Sequence, residues 1–148
     1  MSFEDRTAIQ ENIYAYSYHW DGQDIDRFLT VFTENAEWEF IPAGASEPEI
    51  RLVGHAAIRA WGAERLGRRK GLFVSRHFQT NIVFDELGAD SARTRTMVLV
   101  LHQAVGDAAP SPILTGVYHD LHERTPSGWR LRHRAVHHDH HASHVRNT

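Results

Sequence analysis

Asp21, His77 and His102 are the residues of this chain whose chemistry suits proton transfer. A neutral imidazole accepts a proton from carbon or oxygen. A carboxylate on its other ring nitrogen fixes the tautomer and stabilises the imidazolium, and a second imidazole can polarise an oxygen. Such a set requires neither metal nor cofactor, and none is expected. His77 lies in Ser75-Arg76-His77-Phe78-Gln79-Thr80-Asn81, Asp21 follows Trp20, and His102 closes the apolar run Val98-Leu99-Val100-Leu101. A polar residue ending such a run is either a pocket-facing side chain or a core histidine bonded to backbone. Asp21 can equally do no more than end its helix, and His77 no more than line a wall.

Tyr14, Tyr18 and Asp21 stand at i, i+4 and i+7, on one flank of a helix, where a phenol can hydrogen-bond a substrate oxygen or simply pack. Trp20, Trp38, Trp61 and Phe78 divide between core and pocket lining. Trp20, Trp38, Asn81 and Tyr118 complete the substrate-contact candidates. So many aromatic candidates point to a flat, hydrophobic substrate.

Other chemistries are poorly supported. His137-His138-Asp139-His140-His141, with His133 and His144, resembles a ligand cluster by composition. Adjacent histidines on a tail do not converge as ligands on rigid elements do, and no His-Glu-x-x-His spacing is present, so no metal is assigned. The absence of cysteine removes disulfides and thiolate sites. Neither Ser75 nor the glycine-rich turns have the setting of a nucleophile elbow or phosphate loop. A net charge of -3 with scattered Lys and Arg, apart from Arg68-Arg69-Lys70, argues against nucleic acid as a partner. No apolar run suits a bilayer span or signal peptide, so a cytoplasmic protein with no membrane partner is expected.

The elements that must position these residues follow from periodicity. Ile9, Ile13, Tyr16 and Trp20 predict a helix over about Phe3–Asp21, stopped by Gly22. Asp24 caps a second helix carrying Ile25, Phe28, Leu29 and Phe32. Alternation from Ala36 to Ile41 predicts a strand, followed by a loop over 42–48 and a short return strand over Ile50–Val53. A third helix is expected from Gly54 to Leu66, ending near Gly67, with the basic run suiting its C-terminus. Four β-rich segments follow, at about Leu72–Leu87, Ala92–Val105, Ile113–Arg124 and Trp129–His137, separated by turn-forming stretches. With 148 residues and 41% hydrophobic content, one α+β domain over 1–137 is expected, with a His-rich tail over 138–148 that is a solvated extension or an oligomer contact.

The Trp20-Asp21 pair ending the first helix, Phe32-Thr33-Glu34-Asn35-Ala36-Glu37-Trp38 entering the first strand and Arg76-His77-Phe78-Gln79-Thr80-Asn81 opening the long one resemble the SnoaL-like branch of the nuclear-transport-factor-two-like superfamily. Gly116-Val117-Tyr118-His119-Asp120 and Gly128-Trp129-Arg130-Leu131 extend the resemblance to nearly the whole chain. It implies a cystatin-like roll, with a cone-shaped curved sheet, mixed or antiparallel, wrapped around the N-terminal helix pair plus a third helix. Within the group the sequence is most similar to scytalone dehydratase and hexachlorocyclohexane dehydrochlorinase, cofactor-free lyases that pair an Asp ending the first helix with a His on the long strand. Asp21 and His77 match those positions. His102 matches the second histidine of the first enzyme and Trp38 a pocket tryptophan of the second. Trp20 replaces a tyrosine of the first.

The resemblance therefore implies a lyase or isomerase of dehydratase or dehydrohalogenase type acting on a small hydrophobic or cyclic molecule. The alternatives are a polyketide-type cyclase and a non-catalytic ligand-binding or assembly protein. An apolar sheet face left without a helix predicts a homo-oligomer, dimer or trimer.

Overall fold

Ile9, Ile13, Tyr16 and Trp20 form the buried stripe of α1 (Phe3–Asp21) in the computed structural model, which describes residues 2–141 and, for His141, the backbone alone. The Ser2 hydroxyl accepts the Asp5 N–H while the Asp5 carboxylate accepts the Ser2 N–H, so the helix starts with a capping box. The Asp24 carboxylate accepts the Arg27 N–H and opens α2 (Ile25–Leu29), which ends early because Phe32 enters β1 (Phe32–Ala43). The strand β2 (Ile50–Val53) returns antiparallel to β1.

The third helix, α3 (Gly54–Arg69), runs past its expected end at Gly67. Gly67 has open space around it and no left-handed backbone, whereas Gly71 adopts φ +76 and turns the chain toward the next strand. This extension carries Arg69 to the site described below.

The strands β3 (Phe73–Leu87), β4 (Ser91–Ala104), β5 (Ser111–Thr125) and β6 (Gly128–His141) form the expected antiparallel meander. β6 also pairs parallel with β1, giving an open, mixed sheet of order β2-β1-β6-β5-β4-β3. Helix α1 touches both β3 and β6, three places apart in that order, so the sheet must bend around it. Helix α3 covers β1 and β2. The expected α+β roll is borne out. β6 takes in residues 138–141 of the expected tail; residues 142–148, including His144, lie outside the described residues. No helix among the described residues is long and apolar enough to cross a membrane.

A bulge in β3 decides which side chains face α1. Asn81 has φ 53, a conformation asparagine tolerates better than most residues, and the pairing with β4 shifts register between Thr80 and Val83. Before the bulge Ser75, His77 and Gln79 point inward; after it Ile82 and Phe84 do, packing against Ile9, Ile13, Ala92 and Trp129. Gln79 donates to the Ile13 carbonyl and the Ser17 hydroxyl, holding this part of β3 against α1.

The interior is split by a polar belt. Arg134 pairs bidentately with Asp120, at 2.8 and 2.7 Å, with both side chains fully buried. The guanidinium lies 4.1 Å from the Tyr16 ring centre and 4.2 Å from that of Tyr118. Next to it His122 is fully buried, its Nε2 2.9 Å from the Thr94 hydroxyl and 4.0 Å from Asp120, and its Nδ1 has no partner among the described residues.

Burial pushes the His122 imidazole down to about 4, outweighing the pull of Asp120, while Arg134 pushes in the same direction as burial. Between about pH 6.5, where a histidine in the unfolded chain titrates, and pH 4 the unfolded state then holds more protons than the folded state, so stability is lost as pH falls through this window. The cost approaches about 3 kcal/mol at the acid end. The urea midpoint is expected to drop from pH 7 to pH 4.5, and less steeply in His122→Asn. A midpoint that stays flat over this range in the wild type would rule the effect out.

Candidate active site

Asp21 is the last residue of α1, where a negative charge faces the negative end of the helix dipole. Its side chain makes no cap to its own helix. Instead it receives three donors from β3: the His77 N–H at 2.8 Å, the His77 Nδ1 at 2.7 Å and the Ser75 hydroxyl at 2.7 Å. Burial is the largest influence on this carboxyl and pushes it up. The His77 hydrogen bond, the imidazole's charge, the Ser75 hydroxyl and the His77 N–H together outweigh burial and hold it below the usual carboxylate range. A charged Asp21 is an acceptor only, so His77 donates from Nδ1, and it is the neutral ring that presents a lone pair at Nε2. Among the described residues no group hydrogen-bonds Nε2. The side chains of His77 and Asp21 are 11% and 10% exposed, enough for a ligand to reach an otherwise enclosed pair.

His102 stands directly across from Ser75 in the β3–β4 ladder, on the same inner face. Its ring stacks on Phe73 with centres 4.3 Å apart, and its Nε2 lies 3.1 Å from an Arg69 Nη2. Arginine has no acceptor, so Arg69 donates and His102 carries its own proton on Nδ1. Burial first, then the charges of Arg69 and His77, push the His102 imidazole down to about 4, so it is neutral near pH 7. Arg69 was not among the sequence candidates. Helical spacing alone placed it beyond the expected end of α3, and its only signal was its membership of a basic run.

Two clefts open beside these groups. One, of about 530 Å³, is lined by Tyr14, Ser17, Tyr18, Asp21 and His77 among others; the second, of about 650 Å³, by Phe73 and His102, and Arg76 and Phe78 border both. Tyr14 and Tyr18, 43% and 79% exposed, flank the first, with no side-chain hydrogen bond to the described residues. The remaining candidates lie elsewhere. Trp20 stacks on Trp61, Trp38 packs on Trp61 and donates to the Tyr16 hydroxyl, and Tyr118 covers Arg134, so all three are buried in the aromatic core. Asn81 is the exposed bulge residue and donates to the Met97 sulfur.

Strand geometry separates the tail histidines. His137 packs tilted against His119 on the outer face, while His138 turns inward against Phe40 and accepts the His140 N–H. Among the described residues one group has ligand spacing: atoms of Glu37, Glu39 and His133 lie within 4.8 Å of one another. Arg51 already supplies a cation there, 2.8 Å from Glu37 and 3.5 Å from Glu39, and His133 bonds Glu39 at 3.0 Å.

A family described as a SnoaL-like domain matches residues 1–135. No curated protein matches the chain. Among solved structures, a candidate aromatic ring hydroxylase from Novosphingobium aromaticivorans is 28% identical with a TM-score of 0.76, over 93% of this chain and 91% of that one. A candidate scytalone dehydratase from the same organism is 22% identical with a TM-score of 0.74, over 90% and 83% of the two chains. ActVI-ORFA from Streptomyces coelicolor is 23% identical with a TM-score of 0.77, over 90% and 96%. These likenesses bear out the resemblance read from the sequence.

Proposed function

The chain belongs to the SnoaL-like domain family, and on that premise we propose that it is a lyase or isomerase that needs no cofactor, in which His77 removes a proton from a small hydrophobic or cyclic substrate. One observation carries this reading. A carboxylate placed against its own helix dipole is held by three donors from β3, and the imidazole it orients keeps Nε2 free beside a cleft. A residue that only ended its helix would bond to the helix, and a wall histidine would have both nitrogens satisfied.

In the proposed cycle the substrate lies against Tyr14, Tyr18 and Phe78, and its acidic C–H faces His77 Nε2. The C–H electron pair stays on carbon or moves into a conjugated oxygen as Nε2 takes the proton. Asp21 stabilises the resulting imidazolium. That pair then forms the C=C bond as the bond to a β-hydroxyl or halogen breaks. The leaving group takes its bonding electrons and the proton passes from Nε2 to the departing hydroxide or to water, which completes an elimination; return of the proton to another carbon completes an isomerisation. Cyclisation by attack of the same carbanion starts from the same step, so a polyketide-type cyclase remains the second enzymatic reading.

The direct test is exchange. Small cyclic compounds with a leaving group β to an acidic C–H, incubated with the protein in D2O, should gain deuterium at that carbon or lose the leaving group. Absence of both across such a panel, with bound compounds seen by NMR, would support a binding role instead.

On this reading the protein works in the cytoplasm as a dimer or trimer. Val83, Met97 and Leu99 expose apolar surface on the sheet face away from the helices, and burying it against another copy is the expected use. Light scattering at micromolar concentration should give a multiple of 16.9 kDa. A monomeric mass would refute the assembly.

A further inference from the structure

β3 is an edge strand of the sheet, and its free edge runs beside α1. At the start of the ladder the Leu72 carbonyl bonds the Val105 N–H, just past the end of β4, whereas the His77 N–H turns to Asp21. Antiparallel pairing alternates in this way, so the backbone groups of Ser75 and His77 point to the free edge. Both are capped there. The Asp21 carboxylate accepts the His77 N–H at 2.8 Å, and the Arg76 guanidinium donates from Nη1 to the Ser75 carbonyl at 2.7 Å. An edge closed at these positions offers little to an added strand, which leaves the groove beside it to a smaller ligand.

That groove is the cleft of about 530 Å³ on which the dyad opens. Tyr14, Tyr18 and Asp21 of α1 line one side of it, and Arg76, His77 and Phe78 of β3 the other. Arg76 and Phe78 alternate with His77 and spring from the opposite face of β3, yet all three border one cleft because the strand has no neighbour beyond its edge. The bond to the Ser75 carbonyl holds the guanidinium at that edge. Among the described residues Arg76 has no carboxylate at ion-pair distance and no other acceptor, so the fork made by its Nε–H and Nη2–H stays open. Asp21, the carboxylate of the cleft, is already committed to three donors. Arg76 is therefore the charge that a ligand meets.

From this arrangement we infer that Arg76 is the anion-recognition residue of the dyad's cleft, and that the substrate is an aromatic or cyclic carboxylate bound within that cleft. A planar guanidinium with an open fork matches a carboxylate in shape and charge. Tyr14, Tyr18 and Phe78 supply the aromatic surface that takes the ring, and the two phenols have hydroxyls to spare for its oxygen substituents. His77, the next residue along β3, then meets the acidic C–H of the same molecule. This inference rests on the dyad reading for its catalytic meaning, yet anion binding needs no turnover and is measured separately.

Benzoate and its neutral isostere benzamide are suitable probes, titrated into the whole chain at low salt and followed by NMR. Benzoate should bind about tenfold more tightly than benzamide, the factor expected of hydrogen bonds to a charged group, and should shift the ring resonances of Tyr14, Tyr18 and Phe78. Arg76→Met should abolish that preference by weakening benzoate alone. Arg76→Lys, which keeps the charge but loses the fork, should weaken benzoate severalfold and carries the test if the Met variant does not fold. Arg93→Met removes the same charge at the far end of β4 and should keep the preference. Equal affinity for the two probes, no binding of either, shifts confined to residues outside this cleft, a preference that survives both Arg76 substitutions, or its equal loss in Arg93→Met overturns the inference. A benzoate preference that depends on Arg76, found together with no exchange in the D2O screen, upholds it and counts only against the proton-transfer reading.

Discussion

His77→Ala is expected to lower turnover of an active substrate by on the order of a hundredfold or more, because it removes the proposed base. Asp21→Asn should cost a comparable factor for a reason visible in its contacts. Three donors converge on the carboxylate, and an amide offers one acceptor oxygen with an NH2 in place of the other. The NH2 then meets either the His77 N–H, a Ser75 hydroxyl free to rotate, or Nδ1. Where it meets Nδ1 the ring switches tautomer, its proton moves to Nε2, and the base is lost. The double variant should be barely worse than either single one, since the two residues act as a unit. His102→Ala should cost less, because its Nε2 is occupied by Arg69 and it contributes through an oxygen contact at most. Steady-state kinetics on a substrate found by the exchange screen decides the matter: His77→Ala turning over at the wild-type rate rejects the dyad.

The largest stability effect is expected at Asp120. Removing it by Asp120→Ala leaves Arg134 as a buried charge with two tyrosine faces and no anion, a loss of about 3–5 kcal/mol. Set against roughly 5–15 kcal/mol for a whole domain, this should bring the protein close to unfolding at 37 °C. Replacing both partners with Asp120→Leu and Arg134→Met removes the stranded charge and should recover most of the loss. The same substitutions should move the dyad little, since Asp21 and His77 are held by α1 and β3 rather than by β5 and β6. Urea midpoints of the two variants supply the check; an Asp120→Ala variant within about 1 kcal/mol of wild type would mean the pair contributes no more than a surface bridge.

Much of this was legible along the chain because it depends on local rules. The stripe of Ile9, Ile13, Tyr16 and Trp20 implied α1 with its end at Asp21, and the period-two segments implied the meander, since side-chain periodicity reflects which face is buried. Asp21 and His77 could be paired in advance through the family resemblance, and their 2.7 Å approach agrees with that pairing. What the chain could not reveal depends on partners distant in sequence. The parallel contact of β6 with β1 makes the sheet mixed, and no local pattern encodes which strand a terminal strand joins. Trp20, Trp38 and Tyr118 have the composition of a pocket lining, but packing on Trp61 and Arg134 puts them in the core. Asn81 reads as a polar contact residue, yet the bulge makes it a backbone device that lets both Ser75–Gln79 and Ile82–Phe84 face the helix. Arg69 shows the limit most clearly. A glycine two residues earlier suggested that the helix had ended, yet Gly67 has no left-handed backbone and α3 continues to Arg69, whose guanidinium meets His102, 33 residues away in sequence.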